Sequence, residues 1–321
     1  MSLIQAPRRL AALTAVAAGG VLAGLLVAMP AAQAHPRLDA PVRWQLPKGF
    51  QPEGITTGRE ANVYVGSLVD GAIWRGNART RVGSVFIPGV AGRVAVGVDY
   101  DKRSKRVWVA GGPTGVVTAY DATTGAELMR YVIPGAGFLN DLVVTRKAVY
   151  ITDSFVQRLV VIPLGEHGAL PAPLDVKTLA LTGDMSFVAG AFNANGIVAS
   201  EDGRMLVVVV SSTHTLFRVN PRNGESRVIP LTGGALTDGD GLELHGHTLY
   251  VVRGTANAVV VVKLGEHLRK GKIVATLTDP SLDVPATGAL VDHRLFVTNP
   301  RFSTPVTPTT EYWLTQLSVQ H

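Results

Sequence analysis

Leu139-Asn140-Asp141-Leu142, followed shortly by Val149-Tyr150-Ile151-Thr152-Asp153-Ser154, decides how this chain is to be read. A polar pair opens an aliphatic segment, and an alternating strand carrying an aromatic comes next. The same coupling recurs along the sequence. Glu53-Gly54-Ile55 leads to Val63-Tyr64-Val65, Val96-Gly97-Val98 to Val107-Trp108-Val109, Asn195-Gly196-Ile197 to Leu206-Val207-Val208, Asp240-Gly241-Leu242 to Leu249-Tyr250-Val251, and Thr287-Gly288-Ala289 to Leu295-Phe296-Val297. The centres of successive triplets lie 43, 44, 55, 45 and 47 residues apart. Two independent markers held in one register define a repeat, and a repeat of this length accommodates four short antiparallel strands, the blade of a β-propeller.

Further strand-like runs lie between the markers, at Val116 to Tyr120, Leu159 to Ile162, Leu216 to Val219 and Val259 to Val262. Turn formers follow several of them, as in Asp121-Ala122-Thr123-Thr124-Gly125 and Asn220-Pro221-Arg222-Asn223-Gly224. The expectation is an all-β, six-bladed β-propeller with four antiparallel strands per blade. The last repeat ends on Thr310 to Val319 as its third strand, so its outer strand must come from elsewhere. Pro41 to Leu46 is predicted to supply it and close the ring, removing an exposed edge. A two-sheet sandwich is the alternative, and a period kept over six copies disfavours it.

Composition agrees with this reading. The 321 residues include 35 Gly, 19 Pro and 46% hydrophobic residues against 17% charged, a pattern of short strands and turns that excludes intrinsic disorder. Cysteine is absent, which excludes disulfides, thiolate zinc, iron–sulfur ligation and thiol catalysis, and leaves any metal to oxygen or imidazole. Arg8 and Arg9 precede an uncharged stretch from Leu10 to Met29, and Ala32-Gln33-Ala34 offers a small-x-small cleavage site. Residues 1–34 therefore read as a signal peptide cleaved after Ala34, and 35–321 as the propeller domain. The protein is expected to be secreted or associated with the cell envelope, a monomer, with no stable membrane insertion once the signal is removed. An uncleaved anchor is the alternative, because the apolar stretch could span a bilayer. The mature chain keeps 28 basic and 24 acidic side chains. No basic run interleaved with aromatics occurs, so nucleic acid is not an expected partner.

In a propeller the first strand of each blade lines the central channel, so the opening residues of the triplets form a ring. That ring reads Glu53, Val96, Asn140, Asn195, Asp240, Thr287. Two carboxylates and two side-chain amides suit a hard cation, with water completing the shell of Ca2+. Calcium fits better than zinc, because no imidazole or thiolate occupies the ring, and better than magnesium, because a wide ring of separate blades tolerates a large, flexible coordination sphere. Taken singly, Asn-Gly and Asp-Gly are ordinary turns. Their recurrence at one register position, facing one narrow channel, is what points to a metal site.

These residues carry a family resemblance. The chain resembles the senescence-marker-protein and gluconolactonase (regucalcin-like) family of six-bladed propellers, to which diisopropyl-fluorophosphatase and the paraoxonases are similar in architecture. That likeness implies a calcium ion on the axis held by Glu53 in Pro-Glu-Gly-Ile, Asn140 in Leu-Asn-Asp-Leu, Asn195 in Ala-Asn-Gly-Ile and Asp240 in Gly-Asp-Gly-Leu. It also implies calcium-dependent hydrolysis of a lactone, ester or phosphotriester, with Asp240 as base or nucleophile. Asp141, which stands beside a ligand and replaces the usual Gly, is the second catalytic candidate; either acid could instead be only a ligand or a brace.

Because the second strand of a blade returns antiparallel to the first, its end should lie at the same mouth. Ser67, Asp153, Ser154, Arg253 and Asn299 are therefore expected to rim the opening and contact a small-molecule substrate. One position departs from the gluconolactonase pattern: Phe138 stands where those members carry Arg, which shifts the expected substrate from a sugar lactone to an apolar lactone or ester. His245-Gly246-His247 reads as a hairpin turn. Gly111-Gly112-Pro113-Thr114-Gly115 lacks the Lys of a phosphate loop, and no Gly-x-Ser-x-Gly elbow is present. The competing class is a non-enzymatic exported propeller that binds a ligand around a structural calcium ion, since the fold hosts both roles.

Overall fold

The computed structural model describes residues 43–319, and the expected signal peptide and its cleavage site lie outside these residues. Six antiparallel sheets of consecutive strands are arranged in chain order. Blade 1 is Pro52–Thr57, Asn62–Ser67, Ile73–Asn77 and Gly83–Ile87; blade 2 is Val98–Asp101, Arg106–Ala110, Val116–Asp121 and Glu127–Val132. Blade 3 is Leu139–Val144, Ala148–Asp153, Arg158–Pro163 and Lys177–Ala180. Blade 4 is Ala194–Ala199, Leu206–Val210, Thr215–Val219 and Glu225–Val228, and blade 5 is Gly239–His245, Thr248–Arg253, Ala258–Leu264 and Gly271–Thr278. Two-residue segments, Thr182–Gly183 and Leu231–Thr232, add a parallel rung to the outer edges of blades 4 and 5. Only short 3-10 turns interrupt the strands, and among the described residues no helix is long and apolar enough to cross a membrane.

Blade 6 is closed as the sequence predicts. Gly288–Val291, Arg294–Thr298 and Trp313–Ser318 form three strands, and Arg43–Gln45 pairs antiparallel with the last through Trp44 opposite Leu314. The two ends of the propeller thus meet within one sheet, and the edge of Trp313–Ser318 is covered by a short three-residue strand. The closure is also packed. Trp44 meets Trp74 of blade 1 edge-on at 4.9 Å and Phe296 of blade 6 at 5.7 Å. Trp44→Ala is expected to cost about 3–5 kcal/mol, the loss typical of truncating a buried aromatic, and chemical denaturation would measure it.

The alternating pattern dictates the rest of the core. Second strands such as Leu206–Val210 and Ala148–Asp153 are buried along their whole length, because blades press on both of their faces. Their residues therefore run as continuous apolar stretches rather than in strict alternation. Between blades 3 and 4, Tyr150, Leu159, Ile197, Val208 and Phe217 form one such interblade layer.

Candidate functional site

A local irregularity marks the expected ring. In blade 1, Pro52 pairs with Ser67 but Ile55 pairs with Val65, so the inner strand holds one residue more than its partner. The same bulge occurs between Leu139 and Leu142, between Ala194 and Ile197, and between Gly239 and Leu242. Each bulge begins with a candidate ligand: Glu53, Asn140, Asn195 or Asp240. The ladders of blades 2 and 6 start only at Val98 and Gly288 and carry no such step. A bulge re-aims the side chains within it, and here it does so where the chain offers oxygen donors.

The middle glycine of the triplet lets neighbouring inner strands touch. A Cβ on Gly54 would lie 2.2 Å from the Val96 carbonyl oxygen, and one on Gly196 2.4 Å from that of Asp240. No side chain fits in either place. The ring is consequently narrow, and its carboxylates act on one another: the Glu53 carboxyl is raised well above the usual range by burial first, then by Asp240 and Asp141. Burial likewise pushes Asp240 up to about 7, opposed by a hydrogen bond from Asn195 and reinforced by Asp238 and Asp141.

Proton accounting fixes the orientation of the two amides. Ser154 Oγ donates its only proton to the Ala194 carbonyl at 2.7 Å, so at 3.0 Å it must accept from Asn140, whose Nδ2 faces it. Ser211 does the same in the next blade, donating to the Gly239 carbonyl at 2.6 Å and accepting from Asn195 Nδ2 at 3.1 Å. Each amide oxygen is left without a donor among the described residues. Two unpartnered amide oxygens and two carboxylates fit an oxygen-seeking cation. Among the described residues no three His, Asp or Glu side chains could hold a metal ion by themselves, so an ion here depends on both asparagines.

A second tier of acids lies one step further along the inner strands, and sequence reading missed two of them. Asp99 accepts from Tyr100 N and Val144 N, both at 2.7 Å, and from Thr56 Oγ1 at 3.1 Å, which joins blades 1, 2 and 3. Glu243 accepts from Leu290 N of blade 6 at 3.2 Å. Burial, with Asp99 and Asp141 adding to it against the pull of Leu290 N and Lys102, pushes Glu243 up to about 8. The signal was present: these residues directly follow the aliphatic of their triplets, as Thr56 does in blade 1. Asp141 belongs to this bracing tier by its contacts, since it accepts from Leu142 N at 2.8 Å and from Ile197 N of blade 4 at 3.1 Å. Burial pushes its carboxyl up to about 7, with Asp99 a smaller contributor.

The residues expected on the rim divide into supports and lining. Ser67, Asp153, Ser154 and Asn299 are all 0–1% exposed, so they stand at the level of the mouth but do not face it. Asp153 accepts from the backbone of Gly137, Phe138, Phe155 and Val156 and pairs with Arg158 at 3.3 Å, fixing two mouth loops at once. Asn299 braces blade 6 by accepting from Asp283 N and donating to Thr315 Oγ1. Ser67 Oγ accepts from Val69 N at 3.2 Å. Arg253 donates to the Thr237 carbonyl at 2.7 Å and anchors the loop that leads into Asp240. His214, an imidazole the sequence did not single out, stands at this mouth and accepts from Asp238 N at 3.1 Å.

Phe138 does line the opening, and it has company. Its ring lies 5.2 Å edge-on from Phe192 and 6.2 Å from Phe155, and the latter two rings are 4.8 Å apart. Phe192 and Phe155 are 49% and 44% exposed. Asn193 holds this wall in place: its Nδ2 donates to the carbonyls of Ser154, Val188 and Ala191 while its Oδ1 accepts from Val188 N. Two exposed phenylalanines and the half-buried Phe138 at a channel mouth form an apolar contact surface.

Residues 33–76, which include the first two strands of blade 1, most of the third, and Glu53, match the family model described as strictosidine synthase-like, N-terminal. None of the curated proteins compared with the chain matches it. Among solved structures, the allergen Mala s 1 of Malassezia sympodialis is similar with a TM-score of 0.65 at 12% identity, over 87% of this chain and 96% of that one. A streptogramin B lyase is similar with a TM-score of 0.57 at 13% identity, over 80% of each chain. Virginiamycin B lyase from Staphylococcus aureus is similar with a TM-score of 0.57 at 12% identity, over 80% of this chain and 82% of that one. At these identities the likeness shows a shared propeller fold, and the sequence likeness to the strictosidine synthase-like model is confined to the first blade and the residues before it.

Proposed function

We propose that the chain is an exported calcium-dependent hydrolase of the senescence-marker-protein and gluconolactonase type, acting at the channel mouth on a lactone, ester or phosphotriester with an apolar body. The observation that carries this reading is the pair of asparagine oxygens released by Ser154 and Ser211 beside Glu53 and Asp240. Bound calcium would supply Lewis-acid polarisation of a carbonyl or phosphoryl oxygen. The chain's own residues do the rest. Asn140 and Asn195, held by their serines, present oxygens without having to reorganise. Asp240, ionised when calcium is bound, can take a proton from an attacking water and return it to the leaving group. Phe138, Phe155 and Phe192 grip the apolar part of the substrate and exclude water from one side of the mouth.

Occupied oxygens on Asp141 favour bracing over catalysis at that position, which leaves Asp240 as the acid to test. A panel of phenyl-substituted lactones, aryl esters, phosphotriesters and polyhydroxylated sugar lactones, assayed with calcium and with chelator, checks the reading. Calcium-dependent turnover should favour aromatic over sugar substrates, and Phe192→Ala should raise KM with little change in kcat. Turnover of sugar lactones above all others would overturn the apolar assignment. A protein that turns over nothing yet melts higher with calcium is a binding module whose aromatic wall holds a ligand without reacting with it.

A further inference from the structure

The face opposite the candidate site carries a feature that the proposed chemistry does not use. Hairpins between the first and second strands of blades 2 to 5 emerge there, and three clefts of 330, 670 and 530 Å³ lie between them. The first and second clefts share Val144, Thr145 and Arg146; the second and third share Ser200, Glu201, Asp202 and Arg204. They are segments of one furrow that crosses four blades.

Its charge is one-sided. Lys102, Arg103, Arg146, Lys147, Arg204 and Arg222 line it and are all exposed. Three carboxylates oppose these six bases. Asp101 is buried and tied to Ser104 at 2.6 Å and Arg103 at 3.3 Å, and Asp202 pairs loosely with Arg204 at 3.6 Å. Lys102, Arg146, Lys147 and Arg222 form no ion pair among the described residues. Unpaired bases along a continuous furrow concentrate positive potential where an extended anion can follow it.

The lining discriminates between kinds of polyanion. Its tyrosines, Tyr100 and Tyr150, are only 8% and 7% exposed, and the rings it does expose, the imidazoles of His247 and His267, are confined to the third cleft, so no row of rings follows the bases for successive nucleobases to stack on. None of the exposed large hydrophobics lies in the furrow, so nothing there enters a lipid surface. Thr145, Ser200, Glu201 and Asp202 place hydroxyls and acceptors among the bases. A polyphosphate, which only accepts, would be repelled by Glu201 and Asp202. A sugar chain bearing carboxylates accepts from the bases and donates hydroxyl protons to those acids. We propose that this furrow binds a linear acidic polysaccharide.

Calorimetric titration of the full chain with polygalacturonate oligosaccharides, set against the fully methyl-esterified oligosaccharides, tests it. The charged glycan should bind about tenfold or more tightly than the ester, and its affinity should fall as salt is raised. Arg146→Ser with Arg222→Ser should weaken that binding about tenfold with an unchanged melting temperature, whereas Lys272→Ser, on the outer strand of blade 5, should not. Equal binding of acid and ester, no binding at low salt, or an unaffected double variant would each overturn the proposal. Tighter binding of inorganic polyphosphate, single-stranded DNA or phosphatidylserine vesicles than of polygalacturonate would also overturn it, by assigning the furrow to a different partner.

Discussion

In chelator, the melting temperature is expected to fall by roughly 10 °C between pH 5 and pH 8, and millimolar calcium is expected to offset part of that fall. The sign follows from the channel carboxylates. Burial raises Asp141 and Asp240 to about 7 and Glu243 to about 8, while the same groups in the unfolded chain titrate near 4. Below pH 4 both states are protonated and the contribution to stability is complete. From pH 4 upward the unfolded chain releases protons that the folded chain retains, so stability drops until the folded carboxyls titrate, and above about pH 8 it levels off. Each unit of displacement corresponds to about 1.4 kcal/mol, and mutual relaxation of neighbouring acids leaves several kcal/mol in all. Calcium binds only the ionised ring. Its stabilisation therefore grows over the same pH window, reaching about 2.7 kcal/mol when its concentration is one hundred times Kd. Differential scanning fluorimetry across pH, with and without calcium, reads both effects. A chelator profile that is flat, or a fall that calcium leaves unchanged, would sink the axial site as a calcium site.

What the sequence made legible and what it hid have physical reasons. The period, the six blades and the closing strand at Arg43–Gln45 were readable because every blade repeats one spacing, and a blade lacking its outer strand advertises the need for it. Glu53, Asn140, Asn195 and Asp240 could be aligned with one another because each opens a triplet. That each also starts a bulge could not be read, since a bulge is a property of pairing rather than of one strand. Asp99 and Glu243 stand one residue beyond the triplets, where the repeat carries no common residue type to mark them. Asp153 illustrates a different limit. Strand direction put it at the mouth, but only the folded loops of Gly137–Phe138 and Phe155–Val156 reveal that its oxygens are consumed beneath the rim. The aromatic wall was half visible: Phe138 was marked by its departure from Arg, whereas Phe155 and Phe192 join it only in space.

Asp240→Asn is expected to separate catalysis from stability by moving them in opposite directions. Asparagine keeps the size of the side chain and one oxygen for a cation, but it cannot accept a proton from water. Loss of a general base costs about 10²- to 10⁴-fold, so kcat should fall by roughly a thousandfold with calcium saturating. Calcium affinity should weaken as well, because the ring loses one of its two negative charges. In chelator at pH 8 the variant should nevertheless melt above the parent, since a buried carboxylate that Glu53 opposes has been replaced by a neutral amide. A misfolded protein would lose both properties together. Ser211→Ala provides the contrast: it frees the Asn195 amide to turn, so calcium affinity should drop while the pH profile of kcat at saturating calcium stays where Asp240 sets it. Stopped assays with tightly buffered calcium, paired with fluorimetry on the same samples, measure all three quantities. If Asp240→Asn turns over substrate as fast as the parent at saturating calcium, Asp240 is a ligand alone and the catalytic assignment fails.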